Sequence, residues 1–126
     1  MKLIIRKDKV FTHIGIYLNN SQIVHFSSET NNFFKNDKIL KVDSLLDFSR
    51  HRLIKLIDSE IEISDDDILK IFMDFKGVNK NYNLTKNCCY TFVMWCLYRK
   101  EKTGLKDILL FSVHYKFPIF ALLLFW

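Results

Sequence analysis

The stretch Phe11 to Phe26, FTHIGIYLNNSQIVHF, constrains the fold more than any other. Phe11 to Leu18 and Gln22 to Ser27 are rich in β-branched and aromatic residues, and Asn19-Asn20-Ser21 supplies turn chemistry between them. The pattern predicts a β-hairpin with one histidine on each strand. Strand side chains alternate between faces, so His13, Gly15 and Tyr17 share one side of the first strand, and Ile23, His25 and Ser27 one side of the second. The turn decides whether those sides coincide. A three-residue loop pairs Leu18 with Gln22 and His13 with Ser27, which sets His25 diagonally beside His13, about 7–8 Å away at the backbone. A two-residue Asn19-Asn20 loop puts the histidines on opposite faces.

A chain of 126 residues makes one core and is too short for two. Half of it is apolar and a quarter charged, which is globular composition, and no repeat or linker divides it. The net charge of +5 comes from scattered groups, Arg6-Lys7, Arg50-His51-Arg52 and Arg99-Lys100. Such a distribution reads first as a merely solvated surface, with an anionic membrane surface or weak nucleic-acid contact as the alternatives, and no specific nucleic-acid partner is expected. Three cysteines, two of them adjacent, do not form a disulfide framework, so a reducing intracellular compartment is expected. Met1 to Lys9 holds only three consecutive apolar residues and does not read as a signal peptide.

Around the hairpin, Leu3-Ile4-Ile5, Ile39 to Val42 and Leu53 to Ile57 are short strand candidates. Glu29 to Lys38 reads as a loop with Phe33-Phe34 embedded, and Arg50-His51-Arg52 as an exposed turn. Ser64 followed by Asp65, Asp66 and Asp67 predicts a capped helix start. Ile68, Ile71, Phe72 and Phe75 form its buried stripe and Gly77 its stop. The three aspartates point in different directions on a helix, which favours capping over a metal site.

A second helix is predicted from about Asn87 to Lys102, with Cys88 and Cys89 in its first turn. A thiol placed there feels the helix dipole and unpaired N–H groups, and both stabilise thiolate. The same cysteines, with Cys96, also read as small buried apolar residues. A histidine within reach of a helix-start cysteine is the minimum for thiolate catalysis, and a third group holding the imidazole completes the triad. His13 would be the base, His25 the orienting group, and Cys88 or Cys89 the nucleophile. After Phe117 every residue to Trp126 is apolar, a run shorter than the ~20 residues a spanning helix needs. The segment 107–126 is expected to associate with a membrane, and 1–106 to form the catalytic domain.

His13-Ile14-Gly15-Ile16-Tyr17-Leu18, with His25 twelve residues after His13, resembles the first signature of the lecithin:retinol acyltransferase-like family. That family includes small phospholipase A/acyltransferases and belongs to the permuted papain-like, NlpC-type cysteine enzymes. Its second signature, Tyr-x-Leu-Thr leading into Asn-Cys-Glu-His-Phe-Val, is matched here by Tyr82-Asn83-Leu84-Thr85-Lys86-Asn87-Cys88-Cys89-Tyr90-Thr91-Phe92-Val93. Aligned without gaps, Cys89 takes the nucleophile position, Cys88 replaces the Asn, and Tyr90-Thr91 replaces Glu-His. Matching Asn87-Cys88 to Asn-Cys makes Cys88 the nucleophile and needs compensating shifts on both sides.

The resemblance implies an α+β fold in which a small antiparallel sheet carries the two histidines and the cysteine helix packs on it, followed by an apolar tail. It implies cleavage of a glycerophospholipid ester through a cysteine thioester, resolved by water, an amine or an alcohol. The partner is then a phospholipid membrane, met at its cytoplasmic face. No organic cofactor is implied, and no metal, since the His and Cys residues lack zinc-ligand spacing. Two other readings share the scaffold: a cysteine peptidase or amidase, and a catalytically inactive interaction module like some viral relatives.

Overall fold

The computed structural model describes residues 1–9, 11–27, 39–78, 89–98 and 105–117. Five strands, β1 (Lys2–Lys7), β2 (Thr12–Tyr17), β3 (Gln22–Ser27), β4 (Ile39–Ser44) and β5 (Ile54–Asp58), form one antiparallel sheet in the order β4-β3-β2-β1-β5. The described helices are α1 (Leu45–Ser49), α2 (Asp65–Val78), α3 (Cys89–Tyr98) and α4 (Leu105–His114). The chain is therefore α+β, as the sequence predicts.

Each strand candidate becomes a strand, and the pleat explains its composition. Leu3, Ile4 and Ile5 are all fully buried because β1 is covered on both faces, so an unbroken apolar run suits it better than alternation. Leu3, Ile5, Ile14, Ile16, Val24, Phe26 and Leu40 face a core shared with Ile68, Phe72 and Phe75 of α2 and most of α3. Ile4 and Ile23, on the other face, pack with Phe48 of α1. The sheet is thus a partition: α2 and α3 lie on one side and α1 on the other.

Ser64 caps α2, its Oγ accepting the Asp67 N–H at 3.2 Å, and Asp65 accepts the Asn19 N–H at 2.9 Å. The acidic first turn therefore also ties the helix to the hairpin turn. α2 runs through Gly77 to Val78, one residue past the expected stop.

In α4, Ile108 and Phe111 join the core with Phe117, while Leu109, Leu110 and Val113 are exposed. The boundary expected after residue 106 falls inside this helix. Among the described residues no helix is long and apolar enough to cross a membrane. The expected loop Glu29 to Lys38, Asn87, Cys88 and the tail beyond Phe117 lie outside the described residues.

Candidate active site

The turn resolves the question of histidine faces. Leu18 N–H donates to the Gln22 carbonyl at 2.8 Å, Ser21 N–H donates to the Leu18 carbonyl at 3.1 Å, and Tyr17 pairs with Ile23. This is the three-residue connection, closed by Ser21 in the left-handed region at φ 62°. It puts both imidazoles on one face, with His13 Nε2 2.9 Å from His25 Nδ1. The rings meet edge to face, 5.1 Å between centroids at 78°.

Gly15 makes that approach possible. A Cβ there would stand 2.6 Å from Ile23 Cγ2, 3.0 Å from the Val24 carbonyl oxygen and 3.1 Å from His25 Cβ. Any side chain would push β3, and His25 with it, away from β2.

α1 supplies the wall. Ser44 caps it, accepting the Asp47 N–H, and Arg50 ends it in the left-handed region. Between them Phe48, fully buried, lies 5.6 Å from the His13 ring and 4.9 Å from the His25 ring. Arg6 is the cross-strand partner of His13 on β1. Its guanidinium sits 5.2 Å from the Phe48 centroid and donates to the Phe48 carbonyl at 2.5 Å. Asp8 holds Arg6 through both carboxylate oxygens, at 2.6 and 2.9 Å, and takes Arg52 at 3.2 Å. The buried cation is paired, as a low-dielectric site requires.

Asp43 extends the histidine pair. Its Oδ2 lies 2.7 Å from His25 Nε2, and Lys41 approaches its Oδ1 at 3.5 Å. Burial pulls the His25 pKa down, with Asp43 acting in the opposite sense, and the hydrogen bond to His25 holds the Asp43 carboxyl below its ordinary value. Neither Asp43 nor the Phe48–Arg6 wall was evident in the sequence. Leu40-Lys41-Val42-Asp43 does alternate apolar and polar, which places Lys41 and Asp43 on one face. Only the register, His25 opposite Lys41, brings Asp43 to the imidazole.

Cys89 is buried, 2 % exposed, and is the first described residue of α3. The next residue, Tyr90, donates its hydroxyl to the Thr12 carbonyl at 2.7 Å. Cys89 and His13 therefore flank one contact between α3 and the start of β2. The histidine rings lie on the α1 side of the sheet, against Phe48, and Cys89 belongs to the core cluster of the other side. Cys96 is buried further along α3 as a core residue. His51 and His114 are exposed, unlike His13 and His25. Tyr90 and Thr91, which stand where the resembled signature has Glu-His, are both buried, and Tyr90 is the bolt between helix and strand.

Compared with known proteins, the chain matches the family described as lecithin retinol acyltransferase over residues 2–102. No curated protein and no solved structure matches it.

Proposed function

The chain belongs to the lecithin retinol acyltransferase family, a family made up generally of enzymes, and on that premise we propose that it is a thiol-dependent phospholipase A/acyltransferase acting at a membrane surface. The observation that carries the reading is the buried His13–His25 contact of 2.9 Å, set at the strand end where α3 arrives. In this reading His13 takes the proton of the Cys89 thiol, and the thiolate attacks an ester carbonyl of a glycerophospholipid. Backbone N–H groups at the start of the cysteine helix stabilise the oxyanion. The C–O bond breaks, the lysophospholipid leaves with the proton from His13, and the acyl group stays on sulfur as a thioester. Water then gives a fatty acid, or an amine or alcohol gives the transferred acyl product, with His13 accepting the proton of the attacking group. His25 holds the His13 ring. Membrane contact through 107–126, at the cytoplasmic face, fits the exposed Leu109, Leu110 and Val113 of α4.

The test is acyl release from phosphatidylcholine vesicles. Cys89→Ala should abolish it, a loss of at least about 10³-fold, while circular dichroism stays that of the parent. Full activity in that variant, with loss in Cys88→Ala, would move the nucleophile to Cys88. Cleavage of peptide or cell-wall amides without action on vesicles would replace the lipid reading with the amidase.

A further inference from the structure

We propose that Asp43 is a positioning residue of this site: by accepting the Nε2 proton of His25 it fixes the order of protons along the histidine pair and leaves Nδ1 of His13 as the nitrogen that takes up a proton. The inference rests on the catalytic reading of His13 above, and its structural half stands without that reading.

The order follows from what each atom can do. A carboxylate only accepts, so the 2.7 Å contact between Asp43 Oδ2 and His25 Nε2 requires the proton to sit on Nε2. The His25 ring is buried, which disfavours its charged form, and in the neutral imidazole with Nε2 protonated Nδ1 carries the lone pair. The 2.9 Å contact from that nitrogen to His13 Nε2 must therefore be donated by His13. In neutral His13 the lone pair is left on Nδ1. When Nδ1 gains a proton, the positive ring is stabilised through His25 by the Asp43 carboxylate, and no proton has to leave either hydrogen bond.

The groups facing the pair favour the same arrangement. Lys41 on β4 touches Asp43 Oδ1 and leaves Oδ2 to His25. Arg6 on β1 acts on His25, and Arg50 at the end of α1 interacts with Asp43. These cations disfavour a charged His25 and favour an ionised Asp43. Phe48 packs against both rings.

Asparagine at position 43 tests this. Its amide N–H can donate to His25 Nε2, which would move the His25 proton to Nδ1 and reverse the donor between the histidines, leaving His13 protonated on Nδ1. The tautomers can be read by nitrogen-15 correlation NMR of the full chain at pH 7.5, with and without Asp43→Asn, Asp43→Glu and Asp43→Ala. The expected wild-type pattern is Nε2–H on both histidines. Asp43→Asn should change it and lower acyl release from phosphatidylcholine vesicles by about 10²- to 10⁴-fold. Asp43→Glu should restore the wild-type tautomers and recover activity to within about tenfold. Wild-type tautomers in Asp43→Asn, or activity lost equally in Asn, Glu and Ala variants with the tautomers intact, would overturn the proposal. Tautomers that reverse as expected in a protein inactive on lipid would support the proton order and overturn the phospholipase reading instead.

Discussion

A neutral imidazole buried beside a carboxylate has a pH signature in the stability of the fold. Burial pulls the His25 pKa below its ordinary 6.5, so the unfolded chain binds a proton more readily than the folded one as pH falls below 6.5. Stability therefore declines on acidification through the window between 6.5 and the lower folded value. The Asp43 carboxyl, held below its ordinary 3.8, adds a second loss at more acid pH, where the carboxylate of the His25 bond is protonated. Urea unfolding midpoints should fall from pH 7.5 to pH 5.0, and His25→Gln should flatten most of that fall. An equal fall in both proteins would mean that other groups set the acid limb. The histidine pair itself was legible because residue type, pleat and turn length are all local. His13 and His25 lie on adjacent strands joined by a short loop, so a single choice of turn fixed their geometry.

Elements that meet across long stretches of sequence were harder to read. Eleven residues separate β3 from β4, a spacing from which the sequence does not yield a register, so Asp43 could be placed on a face but not against a partner. α1 is five residues long, too short for helical periodicity to show, and its only local sign was the Ser44–Asp47 cap. Its Phe48 was therefore not singled out in the sequence, although it walls both imidazoles. The cysteine block shows the same limit: the sequence offered Tyr90 as a departure from the resembled signature, whereas in the fold its hydroxyl bolts α3 to β2. Tyr90→Phe keeps the ring among Phe111 and Phe117 and removes the hydroxyl that makes that bolt. It leaves the Thr12 carbonyl without this donor in a buried site, at a cost of about 1–3 kcal/mol. Because the bolt adjoins both Cys89 and His13, acyl release should fall more than stability alone explains, measured by vesicle assay at a temperature where both proteins are folded. Unaltered activity in a destabilised Tyr90→Phe protein would show that the α3–β2 junction does not set the thiol–imidazole geometry.

On the proposed lipid reading the whole molecule has to bring a buried site to a substrate embedded in a bilayer, and α4 is a described element whose surface suits that task. Its inner side gives Ile108 and Phe111 to the core, which fixes the helix to the domain. On its outer side Leu109, Leu110 and Val113 are 47 %, 59 % and 76 % exposed, and the exposed Lys106, His114 and Lys116 accompany them. The sequence continues from there into the apolar run that ends at Trp126, and the chain as a whole carries +5. Apolar side chains that enter the acyl region and cations that meet anionic headgroups act together in interfacial binding. The proposed membrane contact thus predicts that the full chain co-sediments with vesicles containing phosphatidylserine, more weakly as salt is raised. Replacing Leu109, Leu110 and Val113 together by serine should weaken that partitioning by about tenfold or more, since tenfold corresponds to ~1.4 kcal/mol and each exposed leucine contributes on that order when buried. These positions face away from the core, so the folded domain and the tautomers of its histidines should be unchanged. Partitioning that is lost while hydrolysis of a soluble short-chain ester persists would separate docking from chemistry. Partitioning that survives the triple substitution would assign docking to residues beyond Phe117 and remove α4 from the membrane face.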